Sequence, residues 1–365
     1  MIIKSIELAD YRNYDCLSME FDRGTNILYG DNAQGKTNIL EAIFVAATTK
    51  SHRGSKDREI VNFDKEEAHI RTYLEKDGVE TRVDMHLRKN KSKGIAIDGQ
   101  KIKKAADLMG LCNVVFFSPE DLGIIKNGPA ERRRFVDMEL CQLDSFYLYN
   151  LNHYNRIVNQ RNKLLKDMYM NPDLKETLGI WDMQLVSFGT KIIERRKLFE
   201  EQLNEIIFDI HKKLSGQKEE LTIHYEPDVA IEEFERKLKY NQERDMRAKM
   251  TSVGPHRDDF SFVIGDVDIR RFGSQGQQRT AALSLKLSEI ELVKKIAKDT
   301  PVLLLDDVLS ELDSNRQNYL LNSIGDIQTI ITCTGLEEFV NHRFEINRVY
   351  KVAGGSVTCM GKEIT

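Results

Sequence analysis

Short apolar–polar alternations dominate the first third of the chain, and longer helical periods follow. Residues 2–8 alternate loosely, and Leu17–Phe21 and Thr25–Tyr29 repeat the strand pattern. Ile39, Leu40, Ile43 and Phe44 then recur at helical spacing. Residues 68–102 are β-rich, with tight turns at Asp77-Gly78 and Asp98-Gly99, and the apolar run from Val114 stops at Pro119. Residues 128–168 form a helical block with Pro129 suited to a first turn. A turn at 171–173 leads to a second long helix with Trp181, Leu185, Phe188, Ile192, Phe199, Leu203, Ile206, Ile210 and Leu214 on one stripe, ended by Gly216. These two helices are expected to pack as an antiparallel pair. Beyond them, 221–227 reads as a strand, 230–250 as charged helix, 259–272 as a hairpin through Gly265-Asp266, and 274–299 as a helix. Residues 301–313 begin as a continuous apolar strand that ends in acids, and 329–333 is another such strand. Near-continuous apolar strands alternating with helices predict an α/β fold with a parallel sheet.

The length of 365 residues exceeds what one core usually supports, so two lobes or an interrupted domain are expected. A hydrophobic share of 41% excludes wholesale disorder, and a net charge of −4 excludes a uniformly basic nucleic-acid binder while allowing local basic faces. Cys16, Cys112, Cys141, Cys333 and Cys359 show no CxxC spacing, which argues against a disulfide framework or structural zinc. No apolar stretch approaches the roughly 18 residues of a membrane span, and MIIKSIELADYRN lacks a signal core, so a cytoplasmic protein with no membrane partner is expected.

Gly30, Asp31, Asn32, Ala33, Gln34, Gly35, Lys36 and Thr37 spell a phosphate-binding loop between a predicted strand and helix. Its glycines let backbone amides turn inward at a helix N-terminus, which makes an anion cradle. Lys36 is expected to reach the β/γ-phosphates, and Thr37 to offer its hydroxyl to Mg²⁺. Val302–Asp307 delivers two carboxylates to the C-terminal edge of an apolar strand, the usual ligand edge of such sheets. Asp306 suits Mg²⁺ through water, and Asp307 suits a general base or water-positioning group. Ser274, Gln275 and Gly276, followed by Gln277, Gln278 and Arg279, open a later helix and form a second anion-binding candidate. Two anion sites and one nucleotide suggest a site shared by two molecules.

The ordered set GDNAQGKT, SQGQQR and LLLDDVLSELD, with ADYRNY at 9–14, FFSPEDL at 116–122 and GPHRDD at 254–259, resembles the RecF family of ABC-type, SMC-like ATPase heads. The resemblance runs from Met1 to about residue 335. It implies an ABC-type P-loop ATPase head with a mixed sheet, formed by 1–117 and 218–365, and an inserted α-helical lobe over 118–217. It further implies binding of ATP and Mg²⁺, an ATP-dependent homodimer, and slow DNA-dependent hydrolysis acting as a switch. The implied setting is repair of DNA damage, replication-gap processing and recombinase loading, with RecO and RecR as partners. By motif, Gly30–Thr37 form the Walker A loop, Ser274–Gly276 the signature that touches the partner's γ-phosphate, and Asp306 and Asp307 the end of Walker B. Ser310–Asp313 resemble the D-loop. Asp307 stands where many ABC heads carry Glu, Thr332–Thr334 follow the next strand without a switch histidine, and no Gln-loop glutamine lies near FFSPED. The segment between Thr37 and Ser274 is too short for the long coiled coils of SMC relatives.

Arg88, Lys89, Lys91, Lys93, Lys101, Lys103 and Lys104 gather around a predicted hairpin and are the first choice for DNA phosphate contacts with little sequence preference. Arg53, Lys56 and Arg58, and the run Arg132–Arg134, are further candidates. His256 is read as structural, and the remaining histidines show no metal spacing. A small-molecule P-loop kinase would not need Ser274–Arg279, and intact Lys36, Thr37 and Asp306 argue against a scaffold with degenerate ATP binding.

Overall fold

The computed structural model describes residues 1–168, 171–336 and 345–361. Its chain divides into two compact units, Met1–Asp121 with Glu289–Thr365, and Leu122–Ser288.

The first unit holds two six-stranded sheets. One is antiparallel, in the order Tyr14–Glu20, Ile2–Tyr11, Glu67–Lys76, Val79–Arg88, Gly94–Ile97 and Gln100–Lys101. Its hairpins turn where expected, with positive φ at Asp77 and Gly78 and at Asp98 and Gly99. The other sheet runs Ser356–Gly361, Arg348–Ala353, Thr25–Tyr29, Thr329–Cys333, Val302–Asp306 and Val114–Phe117. All its pairings are parallel except that of the outermost hairpin, so the sheet is mixed. Residues 114–117, 302–305 and 329–333 are buried throughout, as continuous apolar strands covered on both faces require. Asp306 pairs with Thr332, and Cys333 with Tyr29, so the acidic strand end and the glycine loop share one sheet edge.

The second unit combines helices Pro129–Leu143, Ser145–Asp167 and Leu178–Leu214 with a three-stranded antiparallel sheet, Leu221–Glu226, Asp259–Ile264 and Val267–Asp268. The expected helical block over 128–168 is broken at Asp144, whose carboxylate caps the second helix by accepting from the amides of Phe146 and Tyr147 at 2.9 and 3.0 Å. The buried line of the long helix is also rotated from the apolar stripe. It runs through Leu178, Asp182, Leu185, Gly189, Ile192, Arg196, Phe199, Leu203, Ile207 and His211. Polar residues hold core positions because each is answered. Arg161 bonds Asp182 and Asp245 at 2.7 Å each, and Arg196 bonds Asp258 and Asp137 at 2.8 Å each.

The division differs from the expected boundaries. Residues 218–288 group with the helices and not with the first unit. The strand Leu221–Glu226 lies on the long helix, where Asn204 exchanges two 2.8 Å bonds with the backbone of Ile223. The five cysteines form no disulfide, and among the described residues no helix is long and apolar enough to cross a membrane.

Candidate functional site

Thr25–Tyr29 ends at Gly30, and helix Lys36–Thr48 begins after Gly35. Gly35 has φ +108°, and a Cβ there would stand 2.5 Å from Asn13 Nδ2, so only glycine fits. Asn13 props the loop from a strand turn, donating to Gln34 O at 3.2 Å and accepting from Asn38 Nδ2 at 2.8 Å. Gly354 N donates to Gln34 Oε1 at 2.6 Å. Lys36 is nearly buried, and its ammonium donates to the carbonyls of Gly30 and Asp31 at 2.5 and 2.9 Å. Asp31, Asn32 and Ala33 form the outer bend, with Ala33 at φ 63°.

Thr37 Oγ1 donates to Asp306 Oδ1 at 2.8 Å, joining residues far apart in the chain. Thr332 Oγ1 lies 2.8 Å from the same carboxylate oxygen and accepts from Asp307 N at 3.0 Å. Thr332 lies inside the strand Thr329–Cys333 and not after it, and from there it orients both acids. Asp307 has φ 53°, a left-handed bend that re-aims its carboxylate after the strand. Burial and the neighbouring Asp306 charge push the Asp307 carboxyl above its ordinary range, against the opposing pull of Lys36 and Ser310. Ser310 and Glu311 lie in a short 3-10 turn, and Asp313 caps helix Ser314–Ser323.

In the second unit, helix Gln275–Ala297 opens after Ser274. Ser274 Oγ accepts from Gln277 N at 3.2 Å, and Gln277 Oε1 accepts from Ser274 N at 2.8 Å, a reciprocal capping box. Ser274, Gln275 and Gly276 are exposed. A Cβ at Gly276 would approach nothing nearer than Ser274 Oγ at 3.9 Å, so the chain's own packing gives no reason for glycine there.

The GPHRDD segment has a packing role. Asp258 is fully buried and accepts from Arg196 at 2.8 Å, from Asp228 N at 2.9 Å, and from the Tyr225 hydroxyl. His256 lies 2.7 Å from Tyr154 Oη and 3.1 Å from Thr251 O, and burial lowers its pKa, which fits a neutral structural histidine. Arg132 is also withdrawn from the suggested DNA run. It is 2% exposed and grips Asp259 in a bidentate pair at 2.6 and 2.9 Å. Arg133 donates to Asp258 O at 2.5 Å.

The basic set around the hairpin is mixed. Lys91, Lys101, Lys103 and Lys104 are exposed, whereas Lys93 bonds Thr49 O at 2.5 Å and Asp57 at 2.8 Å. Lys89 donates to Phe63 O at 2.8 Å. Arg88 donates to His86 Nδ1 at 3.0 Å, which leaves His86 Nε2–H for Glu67, 2.7 Å away. Cross-strand pairing brings Glu67, His69 and His86 within 4.8 Å of one another, a proximity that sequence spacing did not reveal. The bonds from Arg88 and to Glu67 account for His86 without an ion.

A family model described as RecF/RecN/SMC N terminal domain matches residues 2–358. The chain is 64% identical to the DNA replication and repair protein RecF of Lachnoclostridium phytofermentans, over 98% of this chain and 99% of that protein. It is 43% identical to the protein of the same name from Clostridium botulinum strain Eklund 17B, over 98% and 99%. A solved structure described as the recombination mediator protein RecF with ATP in the RecFOR pathway matches with TM-score 0.92 and 36% identity, covering 98% of this chain and 97% of that one. The Smc head domain of Pyrococcus furiosus, at 16% identity and TM-score 0.56 over 98% and 96%, shares the fold.

Proposed function

The chain belongs to the RecF family, and from that premise we propose that it is an ATP-dependent DNA-binding protein of recombinational repair and replication-gap processing. ATP closes two copies into a dimer, slow hydrolysis resets it, and the closed form helps load recombinase at single-strand gaps with RecO and RecR. The observation that carries this reading is the Thr37–Asp306 contact at 2.8 Å, which unites the phosphate loop with the acidic strand end.

Backbone amides from Gly30 to Gly35 and the Lys36 ammonium hold the phosphates. Thr37 and Asp306 are adjacent oxygen donors, the donor set a hard Mg²⁺ ion takes, and bound there the ion would neutralise phosphate charge. Asp307 orients the attacking water and accepts its proton. Ser274, Gln275 and Gly276 of the other copy meet the γ-phosphate. The exposed capping serine and the sterically idle Gly276 support that reading, because a bare helix start lets another chain approach closely. The γ-phosphate then touches both chains and stabilises only the closed state.

Sedimentation or mass photometry with a non-cleavable ATP analogue tests this. The expected result is a shift from one copy to two that Ser274→Arg abolishes while keeping analogue binding; a single-copy mass at saturating analogue contradicts it. DNA contact is assigned to the phosphate backbone by Lys91, Lys101, Lys103 and Lys104, with Arg88, Lys89 and Lys93 held by protein partners. Log affinity should fall linearly with log salt, and a flat response removes this assignment.

A further inference from the structure

The capping box at Ser274 is held from outside its own helix. With Gln277 Oε1 committed to Ser274 N, Gln277 Nε2 donates to Glu219 Oε1 at 2.9 Å. Glu219 follows the end of the long helix, in a turn where Ser215 Oγ accepts from Glu219 N at 3.2 Å. Its second carboxylate oxygen lies 3.5 Å from Nε2 of His211, which is fully buried on the long helix. His211 Nδ1 is 2.9 Å from Ser284 Oγ, and Ser284 gives its own proton to Thr280 O at 2.8 Å. A hydroxyl whose hydrogen is committed accepts from its other neighbour, so His211 Nδ1 carries the hydrogen. The path leaves the signature helix at Gln277 and returns to it at Ser284, clasping its opening turns. Its 3.5 Å step from His211 Nε2 to Glu219 is an ion pair that requires the imidazolium, with hydrogens on both ring nitrogens, since a neutral ring protonated at Nδ1 would face the carboxylate with a bare acceptor.

The chemistry of this clasp is directional. A carboxylate only accepts, whereas an amide presents an acceptor on one side and donors on the other. Facing Glu219, Gln277 must turn its NH₂ outward and its oxygen to Ser274 N. The flipped amide would set NH₂ against Ser274 N–H and open the capping box. Ser274 Oγ spends acceptor capacity on Gln277 N, and its hydrogen goes to no acceptor among the described residues. The hydroxyl is left as a donor aimed by the box.

We infer that Glu219, seated by His211, is a positioning residue for the signature: it fixes the Gln277 amide, which presents the Ser274 hydroxyl as a donor to a phosphate oxygen of the nucleotide held by the other copy. This rests on the reading of Ser274 proposed above. Loss of the clasp leaves the phosphate cradle of the same chain untouched. It lowers turnover and nucleotide-driven dimerisation, not nucleotide capture by one copy.

The test compares Glu219→Lys, Glu219→Gln and Gln277→Glu with Glu219→Gln/Gln277→Glu in the full-length protein. Lysine offers only donors and forces the flip; glutamine still offers an acceptor. Gln277→Glu sets two carboxylates face to face, and the double variant restores one donor against one acceptor. Glu219→Lys and Gln277→Glu are expected to lose about tenfold or more in kcat and in analogue-driven dimer formation, as misplaced catalytic groups do. Affinity of single copies for a fluorescent ATP analogue should stay unchanged. Glu219→Gln and the double variant should recover most turnover. Wild-type turnover in Glu219→Lys overturns the inference, as does equal loss in Glu219→Gln and Glu219→Lys, since that marks a packing role. Normal turnover in Ser274→Arg overturns the underlying reading instead, so the two failures are distinguishable.

Discussion

Asp307 stands at a left-handed bend, beside a second carboxylate and close to a lysine. Burial and Asp306 raise its pKa above the ordinary 3.8, so the folded protein holds the proton more tightly than the unfolded chain does. The stabilising proton is fully present below the unfolded pKa and is lost as pH rises through the folded one. At neutral pH the ionised group therefore costs stability, and on the proposed reading it is the ionised group that serves as base. Asp307→Asn should raise the melting temperature at neutral pH while reducing hydrolysis at least about a hundredfold and preserving ATP binding, because asparagine tolerates positive φ. An unchanged ATPase rate would remove Asp307 from the chemistry. Lys36→Arg should impair hydrolysis more than binding, checked by titration and turnover on one preparation, since its ammonium lies within the loop where a bulkier fork fits poorly. At this scale the loop and acids were legible because their motif is local. Thr332 was not, since its role exists only once Asp306 and Thr332 pair across the sheet.

Arg12 and Glu41 tie the strand Ile2–Tyr11 to the loop helix. Glu41 is fully buried and receives Arg12 at 2.8 and 2.7 Å and Ser51 at 2.5 Å. Burial alone would raise this carboxyl, but the Arg12 and Ser51 bonds hold it below the ordinary 4.5. Its contribution is then complete above the ordinary pKa and lost as pH falls through the lower folded value. Arg12→Ala should cost about 3–5 kcal/mol at neutral pH by leaving a buried charge unanswered. The gap to wild type should narrow on acidification, starting above the ordinary 4.5 where the unanswered buried carboxyl of the variant takes up its proton, and continuing until wild-type Glu41 protonates at its lower value. Denaturant titrations at both pH values check this, and a pH-independent gap contradicts it. Thr332→Val should cost about 1–3 kcal/mol by orphaning Asp307 N, read from the same titrations. Apolar runs and Asp-Gly turns exposed most elements in the sequence. The polar core line of Leu178–Leu214 was hidden because Asp182, Arg196 and His211 find partners distant in sequence, in Arg161, Asp258 and Ser284. The hairpin Arg348–Gly361 lies beyond the last strand read from the sequence, yet its first strand pairs with Thr25–Tyr29 and its turn braces Gln34.

For the whole molecule, the family and the ATPase-head fold were readable because three local motifs occur in a fixed order. The grouping of 218–288 with the helices was not, since it follows from contacts such as Asn204 with Ile223 that no periodicity encodes. The functional account turns on one claim, that each nucleotide is served by a cradle from one copy and a signature from the other. Asp307→Asn keeps its signature and loses its base, while Ser274→Arg keeps its cradle and loses its signature. Separately both should be inactive. Mixed in equal amounts with ATP and DNA, they form heterodimers in which one site pairs the intact cradle with the intact signature. The account predicts that steady-state ATPase activity reappears in the mixture, at up to about half of the wild-type rate for independent sites when each chain pairs with one of the other kind, because two Ser274→Arg chains do not pair. A mixture as inactive as its two components would contradict it.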